Sequence, residues 1–262
     1  MIGVFDSGLG GLTALKELRE LMPNEDVVYF GDTARVPYGP RTPETIVSYA
    51  KQDVRFLSEF KPRAILAACG TVSSTAMDAL GECFTTPIIG VVDATAQAAA
   101  EATKNGKIGI IGTAATIASR SYEKALSKLG DYTLTATPCP LFVPLVENGF
   151  TAPDCEITRL TVEHYLREIK AAGCDTLILG CTHYPIIAHH IAKALPGVTL
   201  INSGKSSAQA MKALCEGIPE GENTASVSYY VSDDKDGFIR QAELFLGHAA
   251  DGEVRQIDIT RY

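Results

Sequence analysis

Short runs of Ile, Val, Leu and Ala recur along the chain, separated by longer stretches in which apolar positions return every three or four residues. The runs at 2–5, 26–30, 64–68, 88–92, 107–111, 133–137, 176–179, 198–201 and 226–231 have strand length and are rich in Ile and Val, which predicts buried β-strands. The stretches at 11–21, 43–60, 94–103, 117–129, 154–172 and 206–215 carry the helical period instead. Strand and helix alternating in this way predict parallel βαβ units with helices on both sheet faces, an α/β fold. A short element at 253–259 is expected to add an antiparallel edge.

The pattern also repeats. Ala64-Ile-Leu-Ala-Ala-Cys-Gly-Thr71 aligns with Thr176-Leu-Ile-Leu-Gly-Cys-Thr182, cysteine on cysteine, and Val92-Asp-Ala-Thr-Ala-Gln97 resembles Ile201-Asn-Ser-Gly-Lys-Ser206. Two pseudosymmetric parallel-sheet α/β domains facing each other across a central cleft are therefore expected. One is assigned residues 1–94 with 206–262, the other residues 95–205.

Composition narrows the partners. Of 262 residues, 46% are apolar and 21% charged, the balance of a globular chain. Lys and Arg number 23 against 31 Asp and Glu, and no basic cluster offers a phosphate-backbone footprint, so no nucleic-acid partner is expected. No apolar run approaches the roughly 20 residues that cross a bilayer, and MIGVFDSGLGG has neither a basic start nor a cleavage site. No membrane partner and a cytoplasmic location are the expectation. The seven cysteines form no CxxC pair, which argues against a disulfide framework or a zinc ribbon. No metal and no cofactor are expected, and most of the thiols read as small buried hydrophobes.

In an open parallel sheet, ligands bind beyond the carboxyl ends of the strands. Those ends read Asp6-Ser7, Gly31-Asp32-Thr33, Cys69-Gly70-Thr71, Gly112-Thr113 and Cys181-Thr182-His183, a concentration of thiols, hydroxyls, carboxylate and imidazole that ordinary turns lack. Cys69 and Cys181 occupy equivalent places in the two halves, each before a candidate helix whose terminal amides favour a thiolate. Cys181 has His183 two residues on, and Asp6 reaches Cys69 if the first and third strands are neighbours. Cys83, Cys155, Cys174 and Cys215 fall within or beside helical stretches and read as structural, while Cys139, between two prolines, stays unassigned.

Two thiols facing one bound molecule suit a proton transfer with inversion: one removes a proton from carbon, the other delivers a proton to the opposite face. Ser7, Thr71, Thr113 and Thr182 are hydroxyls placed to stabilise the charge that develops. Two competing readings are weaker. Gly8-Leu-Gly-Gly11 with Asp32 partly matches a dinucleotide fingerprint, but Thr13 stands where its last glycine belongs. A metal held by Cys69, Cys181 and His183 lacks closely spaced ligands. Asp32 closes a turn and caps a helix, or else meets an ammonium group. Tyr38 reads as a pocket wall, and His189 and His190 as a solvated helix face.

Phe5-Asp-Ser-Gly-Leu-Gly-Gly-Leu12, Gly31-Asp-Thr-Ala-Arg-Val-Pro-Tyr-Gly39, Ala68-Cys-Gly-Thr71 and Gly180-Cys-Thr-His-Tyr-Pro185 together resemble the glutamate racemases of the aspartate/glutamate racemase family, in order and spacing over nearly the whole chain. The resemblance implies cofactor-independent interconversion of L- and D-glutamate, supplying D-glutamate for peptidoglycan, by a protein that commonly forms homodimers. It implies catalytic roles for Cys69 and Cys181, assisted by Asp6 and His183, with Glu147 of Val146-Glu-Asn-Gly149 near the site. Substrate contacts carry over to Asp6, Ser7, Tyr38, Gly39, Gly70, Thr71, Thr113, Thr182 and His183.

Two positions depart from the family pattern. Gly70 stands where the family usually has Asn, and Asn202 where it usually has Asp. The first leaves open a racemase or epimerase for another small amino acid, or an amino-acid-binding homologue of weak activity. Restoring an amide at position 70 is expected to improve glutamate affinity.

Overall fold

The computed structural model describes residues 1–218 and 224–262. Among the described residues ten strands form: β1 Ile2–Asp6, β2 Val27–Gly31, β3 Ala64–Ala67, β4 Ile88–Gly90, β5 Lys107–Gly112, β6 Thr133–Pro138, β7 Thr176–Leu179, β8 Thr199–Asn202, β9 Val227–Val231 and β10 Val254–Gln256. They make two sheets, ordered β10-β9-β2-β1-β3-β4 and β6-β5-β7-β8, in which every pairing is parallel. The order β2-β1-β3-β4 in the first sheet recurs as β6-β5-β7-β8 in the second, so the repeat seen in the sequence is a repeat of topology. β1 lies between β2 and β3, which makes Asp6 and Cys69 neighbours along one sheet edge.

Both faces of the first sheet are covered, hence the unbroken apolar strands. Leu12, Leu15 and Leu18 of the helix Leu12–Leu21 fill one face with Leu66 and Met211; Ile46, Val54 and Leu57 of the helix Pro43–Ser58 fill the other with Phe5, Phe30 and Ile65. Each such side chain contributes about 1.5–3 kcal/mol by leaving water. Thr42 accepts from the Thr45 amide at 3.4 Å and Pro43 opens the helix behind it, a stop-and-start signal written locally. The helix Val92–Ala102 packs on β7 and β8 and against the helix Ser203–Glu216, which in turn lies along Leu12–Leu21. These contacts join the two sheets into one body.

The structure corrects several expectations. β10 runs parallel to β9, because the helix Lys235–Leu246 between them is a crossover connection rather than a hairpin turn. The helical stretch 117–129 is broken at Arg120, whose φ of 54° is left-handed, and the stretch 154–172 is interrupted at Leu166. His190 is not solvated: it is buried, with Nε2 2.9 Å from the Ala152 carbonyl, and only His189 is exposed. Among the described residues no helix is long and apolar enough to cross a membrane.

Asn202 has a structural account. Its Oδ1 accepts from the Gly204 and Lys205 amides at 2.9 and 3.4 Å, capping the helix Ser203–Glu216, while its Nδ2 donates to Glu17 Oε1 at 3.2 Å. Aspartate would keep the cap but set a second carboxylate against Glu17, whose carboxyl is already raised by burial and by Glu20. Asn202→Asp is expected to cost about 1 kcal/mol at neutral pH. The loss should appear as a lower thermal midpoint and shrink as pH falls and one of the two carboxylates takes a proton.

Candidate active site

The carboxyl edges of the two sheets meet at a cavity of about 330 Å³. Ser7, Tyr38, Gly39, Cys69, Gly70, Thr71, Thr113, Glu147, Cys181, Thr182 and His183 all line it. Strand ends explain the convergence: β1 delivers Ser7, β3 Cys69–Thr71, β5 Thr113, and β7 Cys181–His183. Thr71 and Thr113 come from different sheets and their hydroxyls meet at 3.0 Å. Leu9, Val36, Pro37, Pro40, Ala114, Pro140, Val143 and Pro144 complete an apolar wall.

Asp6 lies one layer beneath this lining. It is buried, accepts from the Gly8 amide at 2.9 Å through Oδ2, and among the described residues leaves Oδ1 without a hydrogen-bond partner. Burial raises its carboxyl above the ordinary range, against the pull of His183 and of the Gly8 and Gly11 amides. Its influence on the cavity is thus through charge rather than contact. Its position also weighs against the dinucleotide reading, since the Asp6 carboxylate takes the Gly8 amide that a bound phosphate would use.

The two thiols have different surroundings. Cys69 Sγ is 3.6 Å from Ser7 Oγ, at the start of the helix Gly70–Thr75. Burial pushes its thiol up to about 12 and the Asp6 charge adds to the rise, only partly opposed by the Val72 amide and Ser7. Cys69 is therefore a protonated thiol at neutral pH. Cys181 Sγ lies 4.0 Å from His183 Nδ1, and His183 Nε2 is 3.0 Å from Glu147 Oε1. Burial disfavours the imidazolium, yet Cys181 and Glu147 outweigh it and hold His183 up at about 10. Glu147, at the end of the helix Phe142–Glu147, is the partly exposed member of this chain of groups.

Tyr38 is held by a buried ionic network. Its hydroxyl donates to Asp32 and lies 3.2 Å from Asp53 Oδ2; Arg35 bridges the same carboxylates at 2.5 and 2.9 Å. Asp32 also accepts from Ser232 Oγ at 2.8 Å. Asp32 therefore neither caps the short helix Thr33–Arg35 with its side chain nor faces the cavity, so an ammonium contact there is excluded by its partners. Among the described residues no group of three or more His, Cys, Asp and Glu side chains is arranged to hold a metal.

Gly70 reverses one expectation. A β-carbon there would lie under 3.0 Å from the Gly180 carbonyl oxygen, so there is no room for an asparagine without displacing backbone. Cys139, left unassigned by its sequence, lines the cavity at the end of β6, with Sγ 3.6 Å from the Thr137 carbonyl. The strand-end rule alone would have found it had β6 been followed to Pro138.

Comparison with known proteins agrees with this geometry. The family model for Asp/Glu/hydantoin racemases matches residues 12–211. A glutamate racemase of Persephonella marina is 44% identical over 246 residues, covering 94% of this chain and 93% of its own. One of Geobacter metallireducens is 40% identical over 98% of this chain and 96% of its own. The crystal structure of Francisella tularensis glutamate racemase in complex with D-glutamate superposes with a TM-score of 0.92 at 35% identity, covering 100% of this chain and 98% of the other. With its fold, its cavity and its sequence all agreeing, the chain belongs to the Asp/Glu/hydantoin racemase family, among the glutamate racemases.

Proposed function

We propose that the protein interconverts L- and D-glutamate without a cofactor, using Cys69 and Cys181 as opposed acid and base. The observation that carries this reading is a single cavity into which two sheets each deliver one thiol, with unlike protonation partners. In the resting protein Cys69 holds its proton and Cys181 is coupled to His183. Cys181 removes the α-proton as the C–H electron pair stays on carbon; Cys69 gives its S–H proton to the opposite face, forming the new C–H bond. His183, held as a cation and steadied by Glu147, lies beside the Cys181 sulfur and favours its anionic form, the form that can take a proton. For the other enantiomer the steps run in reverse.

The α-carbon of an amino acid is weakly acidic, so charge developing toward its carboxylate needs donors in place beforehand. Ser7, Thr71, Thr113 and Thr182 supply hydroxyls, and the Tyr38–Gly39 segment closes one side. Asp6 acts from below: its charge opposes an anionic Cys69 and so keeps that thiol a ready acid. Residues 1–94 with 206–262 and residues 95–205 are taken as the two domains that clasp the substrate. We place the reaction in the cytoplasm, in a homodimer, with D-glutamate passing to peptidoglycan assembly.

The test is direct. Purified protein given L-glutamate, with nothing else added, should carry the optical rotation to zero, and D-glutamate should give the mirror-image trace. Absence of any change with glutamate, alongside racemisation of aspartate or alanine, would reassign the substrate.

A further inference from the structure

We infer that Asp53 is a positioning residue: as an uncharged carboxylic acid it donates its proton to the Tyr38 oxygen and so fixes the Tyr38–Gly39 wall of the cavity. The inference rests on the glutamate reading above and adds to it the group that holds this wall in place. Asp53 lies inside the helix Pro43–Ser58, fully buried, where a carboxylate without a balancing charge is costly.

The hydrogens available at the cluster place that proton. Ser232 Oγ accepts from the Ala34 amide at 2.8 Å and therefore gives its own hydrogen to Asp32 Oδ1, also at 2.8 Å. Asp32 Oδ2 takes Arg35 Nε at 2.5 Å and the Tyr38 hydroxyl. Asp32 thus accepts from three donors, as a carboxylate does, and carries the charge that balances Arg35. Tyr38 has a single hydroxyl hydrogen, and Asp32 is the nearer of its two carboxyl partners. Its 3.2 Å contact with Asp53 Oδ2 is then oxygen against oxygen, which a hydrogen on Asp53 turns into a bond. Asp53 Oδ1 still accepts from Arg35 Nη2 at 2.9 Å. A cation, an anion and a neutral acid leave the buried cluster without net charge. Electrostatics agree: burial, then the Asp32 charge, push the Asp53 carboxyl well above the ordinary range. Asp6 adds to the rise, and Arg35 and Tyr38 only partly oppose it.

The wall held by this cluster reaches the other half of the molecule. Tyr38 lines the cavity, its ring packs 5.4 Å from that of Tyr49, and the Arg35 guanidinium covers the Tyr49 ring at 4.1 Å. One residue on, the Gly39 carbonyl accepts from the Ala115 amide at 3.3 Å, and a β-carbon at Gly39 would sit 3.2 Å from Thr113 Cβ. Tyr38 is anchored in one half while Gly39 touches the other, so a displaced phenol disturbs both sides of the cavity.

Infrared spectra near neutral pH read the proton. The parent-minus-Asp53→Asn difference should show the carbonyl stretch of a protonated carboxylic acid, and Tyr38→Phe, which removes its acceptor, should move that band. Asparagine offers the same pattern, an N–H toward the Tyr38 oxygen and an oxygen toward Arg35. Asp53→Asn should therefore keep the parent thermal midpoint and a KM for glutamate within about twofold. Asp53→Leu offers neither group: KM is expected to rise about tenfold or more while kcat changes by less than about threefold. Asp53→Ser takes its place, with the same expectation, should the leucine variant fail to fold. Absence of the carboxylic-acid band, a band unmoved by Tyr38→Phe, or a lowered midpoint in Asp53→Asn overturns the proposal. So does a parent-like KM in folded Asp53→Leu, or failure of both the leucine and serine variants to fold, because Asp53 would then serve packing alone. Failure of the underlying reading shows separately, as absence of glutamate turnover in the parent protein, and leaves the infrared and melting results to report on the proton.

Discussion

Cys69→Ser and Cys181→Ser each abolish racemisation, with kcat falling about 10³-fold or more while the fold persists. A serine hydroxyl is too weakly acidic to exist as a useful alkoxide in this buried setting and too reluctant a base to take an α-proton; a positioned acid or base supplies about 10²–10⁴-fold. The change amounts to roughly 4 kcal/mol of transition-state stabilisation. Stability is little affected, because serine is close to cysteine in size and both residues line the cavity. Enantiomers have equal free energies, so kcat/KM must fall by the same factor in both directions even though each cysteine serves a different face. Cys83→Ser is the matching control: Cys83 is exposed and lines no part of the cavity. Equal losses at 83 and 69 in steady-state kinetics would contradict the assignment.

His183→Asn lowers kcat by about 10²-fold in both directions, since Cys181 loses the cation beside its sulfur. Glu147→Gln does less, about tenfold or below, because Glu147 is only partly buried and acts through His183. The histidine leaves a signature in stability as well. Its folded value of about 10 stands above the ordinary 6.5 of a histidine. The stabilisation from its charged form is complete below about pH 6.5 and is lost as pH rises through about 10. The difference in thermal midpoint between the parent protein and His183→Asn should therefore be largest near pH 6 and shrink toward pH 10. A difference that grows with pH would mean that His183 is neutral in the folded protein.

The sequence announced the strands and the residues at their ends because both follow from local signals. Ile- and Val-rich runs are short, helical periods are long, and a parallel sheet gathers whatever follows its strands. The same rule places Ser7, Cys69, Thr113, Cys181 and His183 in one cavity before any coordinates are known. Asp32 was ambiguous because one of its partners, Ser232, lies far along the chain, and a turn aspartate looks the same whether it faces solvent, substrate or the Arg35 guanidinium. Position 70 misled for a related reason. Its requirement is set by the Gly180 carbonyl across the interface between the halves, a contact that no local pattern encodes. The parallel course of β10 depended on the helix Lys235–Leu246, whose apolar positions Phe238, Ala242 and Phe245 do carry a helical period.

The central claim is that protons leave and arrive on opposite faces of one carbon through separate thiols. Conversion of L-glutamate in deuterated water, stopped at a few per cent turnover and analysed for α-deuterium in each enantiomer, tests it most directly. The account predicts D-glutamate almost wholly deuterated and remaining L-glutamate almost wholly protiated, with the mirror result from D-glutamate. Equal deuterium in both enantiomers from the earliest times, or the original proton retained in the product, would contradict it by pointing to a single group that serves both faces.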